Sequence, residues 1–180
     1  MSATTAPQEL AGSWTVDPVH STASFGIRHM RVSTFRTSFK QVDAALAVED
    51  GALRLTGRVP VESIDVHDEN FRGHLLSAEF FDAANTPTID FESTSITTAD
   101  DGSLAVDGEL TVKGITKPVS ARGTLSQATN PYGQELTGIE LETTLDRHEF
   151  GLDWNADLPT GGKVLSDDVT LYVHLEFKKS

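Results

Sequence analysis

The sequence predicts an all-β protein: about eight antiparallel strands closed into an up-and-down barrel, with one short helix. Three observations carry this expectation. The dominant hydrophobic period is two along most of the chain. Turn signals separate the alternating stretches: Glu49-Asp50-Gly51, Asp100-Asp101-Gly102, Lys113-Gly114 and Asn130-Pro131-Tyr132-Gly133. One short segment, Asp68 to Ser77, switches to helical spacing. Sequential strands joined by short turns favour closure over a sandwich, because closure removes the exposed edges.

Taken in order, residues 13–17 and 20–30 read as a hairpin turning at Asp17-Pro18. The stretch 35–49 reads as one long strand whose phase slips between Phe39 and Val42, as a β-bulge would cause. Leu53, Leu55, Gly57, Val59 and Val61 then share one face. In the helical segment Phe71, Leu75 and Leu76 share a side, with Asp68 placed as N-cap. Residues 88–97 form the next strand. Leu104, Val106, Gly108, Leu110 and Val112 define the apolar face of another, and Val119, Ala121, Gly123 and Leu125 that of its successor. Residues 136–147 follow. The stretch 150–166, with Pro159 and Gly161-Gly162, has no period and reads as a long loop, a length often tied to function. Val169, Leu171, Val173, Leu175 and Phe177 close the set.

The apolar face lines the lumen of such a barrel. Gly57, Gly108, Ala121 and Gly123 lie on it. Small inward residues either leave room for a ligand or mark bends and close approaches of the chain.

One domain accounts for the 180 residues: a flexible N-terminal segment, 1–11, followed by the barrel, 12–180. Hydrophobic residues make up 38%, enough for a core, yet no apolar run is long enough for a transmembrane helix. The 14 Lys plus Arg against 27 Asp plus Glu leave a net charge of −13, which disfavours nucleic acid and charge-driven contact with anionic membranes. The charge fits a soluble monomer or a small oligomer such as a homodimer. With no Cys, disulfides, thiolate metal sites and cysteine nucleophiles are excluded. The first ten residues have neither a basic nor an apolar region of a secretory signal, so a cytoplasmic protein is expected, or a mature form written without its signal.

Catalytic signatures are missing: no Gly-x-Ser-x-Gly elbow, no His-Glu-x-x-His, no phosphate-cradling glycine loop and no dinucleotide fingerprint. The six histidines show no metal-ligand spacing, although His67 and His74 flank the helix. No metal and no cofactor is expected. His29 shares the face of Phe25 and Ile27, so it points into an apolar lumen and needs a partner there. A backbone carbonyl, a neighbouring acid or a ligand head group would each serve.

Several strings in fixed order resemble the YceI-like family of lipid-binding proteins. They are Trp14-Thr-Val-Asp-Pro-Val-His-Ser21, Arg28-His-Met30, Val32-Ser-Thr34, His74-Leu75, Ala78-Glu-Phe-Phe-Asp82, Pro87-Thr-Ile-Asp-Phe91, Gly108 to Val119, and Asp146-Arg-His-Glu-Phe-Gly-Leu152. The resemblance runs from Trp14 to the last strand. It implies a lipocalin-like barrel with a helix against it and a long apolar channel for an isoprenoid or fatty chain. Many members are secreted to the periplasm. The resemblance brings no catalytic residues.

The expected function is a non-catalytic carrier that holds a long-chain isoprenoid, acyl lipid or similar amphiphile in the lumen. The expected wall is Phe25, Ile27, Phe39, Leu55, Val59, Phe91, Val106, Leu110, Leu141 and Val173, with Phe80, Phe81, Phe150 and Trp154 at the mouth. Arg28 and His29 are the head-group candidates, although Arg28 falls on the outer face. Ordinary core packing is the competing account of each apolar residue. Two other readings stand beside the carrier. One is an enzyme acting on such a lipid with His29 as general base. The other is an interaction protein whose lumen is simply filled.

Overall fold

The computed structural model describes residues 10–180. Ten strands run in chain order: β1 (Ser13–Val16), β2 (Thr22–His29), β3 (Ser33–Phe39), β4 (Asp43–Glu49), β5 (Ala52–Pro60), β6 (Thr88–Thr98), β7 (Ser103–Val112), β8 (Ile115–Thr129), β9 (Glu135–Asp146) and β10 (Leu165–Lys179). One α-helix, α1 (Glu69–Leu76), lies between β5 and β6. All pairings are antiparallel, in the order β1-β4-β5-β6-β7-β8-β9-β10-β2-β3, and a β1–β10 pairing closes the ring. The result is the expected closed barrel of eight strands with one helix.

Ten segments make an eight-stranded barrel because two of its strands are broken. β1 and β2 do not form a hairpin. Both run antiparallel to β10 and follow one another along it, Val16 opposite Phe177 and Thr22 opposite His174. Asp17-Pro18 therefore bulges the chain outward without reversing it. The Asp17 carboxylate accepts from the Val19 amide at 2.9 Å, and the Glu176 amide donates to the Ser21 hydroxyl at 3.0 Å, so the ladder is bridged across the break. The stretch 35–49 is likewise two strands: β3 pairs with β2, and β4 pairs with β1 and β5. The phase slip is a break at Lys40–Val42, where the Lys40 amide leaves for Ser63 O at 2.7 Å.

Past that break, the segment after β5 replaces a strand at the edge of β3. Phe39 bridges Ile64, and the Asp65 amide donates to Ser38 O at 2.8 Å. Asp68 caps α1, its Oδ1 accepting from the Phe71 amide at 2.7 Å, and Leu75 is the helix residue driven into the core.

Apolar packing is divided along the barrel axis. At one end Leu10, Trp14, Leu46, Leu104, Ile139 and Phe177 form a dense plug. The expected flexible segment 1–11 lies mostly outside the described residues. Its residue Leu10 is fully buried in the plug, and its carbonyl accepts from the Trp14 indole at 3.1 Å. At the other end Phe39, Val59, Val61, Ile64, Leu75, Phe81, Leu110, Val112 and Phe150 join the barrel to its helical cover.

Two of the inward glycines are close approaches. A Cβ at Gly108 would lie 2.5 Å from the Phe91 ring, and one at Gly123 only 1.7 Å from the Glu140 carbonyl oxygen. Gly108 admits an aromatic ring and Gly123 lets β8 press onto β9; neither opens space. Gly57 and Ala121 do face open lumen.

Candidate functional site

Between the plug and the helical cover lies a cavity of about 900 Å³. Its wall comes from alternate residues of the strands, because side chains one apart point to opposite faces. Phe25, Ile27, Phe39, Leu55, Val59, Phe91, Val106, Leu110, Leu141 and Val173 all line it. Phe71, His74, Phe80, Phe81, Phe150 and Trp154 cover it from α1, the loop after α1 and the chain after β9.

The aromatic residues form two groups. Phe25 packs against Phe35, Phe39 and Phe81 at ring-centroid distances of 6.3, 6.0 and 6.2 Å. Phe35 reaches Phe71 of α1 edge-on at 5.2 Å. Over the opposite part of the cover, His74 meets Phe80 at 4.9 Å and Trp154 at 5.0 Å. This second group joins the helix to the long loop 151–164. His74 also meets Glu79 at 2.7 Å, whereas His67 is exposed beside Asp65, so the two flanking histidines have separate acid neighbours.

Among the residues named from sequence, Arg28 alone lies outside the cavity. It sits on the outer face of β2, donating to Arg31 O at 2.8 Å and to Thr34 Oγ1 at 3.4 Å. His29 is half-buried at the rim of the cavity, and its ring meets no hydrogen-bond partner among the described residues.

Sequence reasoning missed Arg147. It follows β9 in a 3₁₀ turn, Arg147–Phe150, with its side chain buried against the cavity. Its Nε donates to Ser166 O at 2.8 Å, and Nη1 to Trp154 O at 2.9 Å and to Leu152 O. Burial lowers its pKa, opposed by the carboxylates of Asp167, Asp153 and Asp146. The guanidinium thus pins the long loop to the start of β10. The signal was available: Leu141, Thr143, Leu145 and Arg147 share one parity, which puts the arginine on the inner side.

The loop has a second fastening outside. His148 Nδ1 meets Asp153 at 2.9 Å and Nε2 meets Asp167 at 2.9 Å, and these two carboxylates raise the pKa of the imidazole. Asn155 adds a third, donating to Leu165 O at 2.8 Å and accepting from the Leu165 amide at 2.9 Å.

Asp17, His20 and Glu176 bring three potential metal ligands together. Lys178 Nζ already lies 2.8 Å from the Asp17 carboxylate. Hydrogen bonds from Lys178, His20 and the Val19 amide hold that carboxyl far below its ordinary range, so it has its counter-charge without an ion.

Comparison with known proteins agrees with this architecture. The YceI-like domain model matches residues 14–177. A UPF0312 protein of Staphylococcus aureus strain N315 is 33% identical over 173 residues, covering 93% of this chain and 98% of its own. The crystal structure of Burkholderia cenocepacia BcnA superposes with a TM-score of 0.76 at 23% identity, covering 89% of this chain and 98% of that one. A polyisoprenoid binding domain from Saccharophagus degradans superposes with a TM-score of 0.67 at 10% identity, over 93% of this chain and 98% of that one. With a family model spanning nearly the whole barrel and a relative matched end to end, the chain belongs to the YceI-like family.

Proposed function

We propose that the protein is a non-catalytic carrier that holds the long apolar chain of an isoprenoid or similar amphiphilic lipid in its barrel. The observation that carries this reading is the 900 Å³ cavity walled by Phe, Leu, Ile and Val at the hollow end. A volume near the top of the range for ligand pockets, ~300–1,000 Å³, suits an elongated apolar guest. Each CH₂ withdrawn from water contributes about 0.8 kcal/mol, so a long chain binds without many polar contacts. A structure neighbour described as a polyisoprenoid binding domain supports the same reading.

Binding is favoured over catalysis by the state of His29. A general base needs a positioned target and an orienting partner. His29 has no such partner among the described residues, and its place at the rim suits a contact to a lipid head group.

Native mass spectrometry of protein purified from its host, followed by lipid extraction, tests the reading. The expected result is a co-purifying isoprenoid or acyl species. Ala121→Phe, which points a ring into the open lumen, should displace it while leaving the fold intact. Protein that emerges empty and takes up no long-chain probe would sink the carrier reading.

A further inference from the structure

The acids and bases are not mixed evenly along this chain. Residues 18–42 contain four of the 14 Lys and Arg and none of the 27 Asp and Glu. That stretch includes the β2–β3 hairpin. Arg28, Arg31 and Arg36 are exposed on it, and none of them forms an ion pair among the described residues, although acids outnumber bases nearly two to one. Between them the tip exposes Met30 at 45% and Val32 at 80%. Met30 and Arg31 form a tight turn with positive φ values of 50° and 64°, which joins β2 to β3 in a short hairpin.

The tip also stands at the rim of the cavity. His29, Met30 and Ser33 line it, the Met30 amide donates to Val164 O of the long loop at 2.7 Å, and Phe35 reaches Phe71 of α1. On the neighbouring loop, Asp153 meets His148 at 2.9 Å and Asp157 meets Lys163 at 2.8 Å, so these two acids have basic neighbours of their own and do not pair with the arginines of the tip.

We infer that the β2–β3 tip docks on the surface of an anionic lipid bilayer, placing the cavity rim against the membrane from which lipid enters. This rests on the carrier reading and names the source of its cargo. Unpaired arginines flanking two exposed apolar side chains match a layer of lipid phosphates above acyl chains. Over the whole molecule the net charge of −13 acts against this contact, so the attraction is local to the tip and its arginines. Strands advance about 3.3 Å per residue, so the acids of the far end lie several Debye lengths away at physiological salt, where that length is about 8 Å.

Co-flotation of the full chain with vesicles tests the surface. One set is phosphatidylcholine alone; the other is about three parts phosphatidylcholine to one part phosphatidylglycerol. At physiological salt the protein should float with the anionic vesicles only and be released at high salt. Arg31→Gln should weaken binding about fivefold, the worth of one basic residue at such a surface. Val32→Ser should weaken it with every charge intact. Arg122→Gln, on the outside of β8, makes the same change in net charge and should leave binding as it was. Equal recovery with both vesicle types, no recovery with either, or an equal loss for Arg122→Gln and Arg31→Gln would overturn the proposal. Uptake of a fluorescent polyprenyl probe from detergent separates the two readings. Normal uptake without flotation removes the docking surface alone; flotation without uptake removes the carrier.

Discussion

Gly57 and Gly123 sit on the same inner face, yet an added methyl has opposite consequences at the two positions. A Cβ at Gly123 would fall 1.7 Å from the Glu140 carbonyl oxygen, which belongs to a paired strand and cannot move aside. At Gly57 the nearest atom is 4.0 Å away and the lumen is open beyond it. Gly123→Ala should therefore cost on the order of 3 kcal/mol, whereas Gly57→Ala should be neutral or add roughly 0.5 kcal/mol by stiffening the strand. Urea midpoints of the two variants decide the matter. From sequence both glycines had the same two meanings, because parity reports the face and not the distance to the next strand. His29 and Arg28 show the power of parity where it suffices: adjacent residues, one at the cavity and one outside.

At the scale of elements, the loop 151–164 is the part whose order is conditional. Arg147 and Asn155 hold it from inside, and His148 clamps it from outside between Asp153 and Asp167. The folded pKa of His148 is raised, so its contribution is fully present below the unfolded value of about 6.5 and is lost as pH rises through the folded value. Amide exchange of residues 151–164, corrected for its intrinsic pH dependence, should show protection declining as pH rises through that window. His148→Gln should abolish the dependence; an unchanged profile in that variant would assign the effect elsewhere. The loop itself was legible from Pro159 and Gly161-Gly162. Its fastenings were not, since Asp167 lies 19 residues from His148 and no local pattern links them.

For the whole molecule, a cavity next to a dense plug makes stability depend on the guest. A lipid that binds the folded barrel and not the unfolded chain adds about 2.7 kcal/mol at a hundredfold excess over its Kd. Calorimetry of delipidated and reloaded protein should show a rise of several degrees in Tm on loading. Short alcohols, too small to span the apolar wall, should leave Tm unchanged.

The alternation of Leu53 to Val61, Leu104 to Val112 and Val169 to Phe177 is a local property, and it determined those strands, their inner faces and the all-β class, while the helical spacing after Asp68 marked the one helix. Nearly all the wall residues follow from that alternation alone. Tertiary structure decided what alternation cannot encode. β1 and β2 were joined end to end along β10 because both found partners on that one long strand. The lumen was left hollow at one end because Leu10, Trp14 and Phe177 meet across the barrel only at the other. Closing a barrel sets which side chains face each other across its width, and that distance, absent from any run of neighbouring residues, separates a packed core from a cavity.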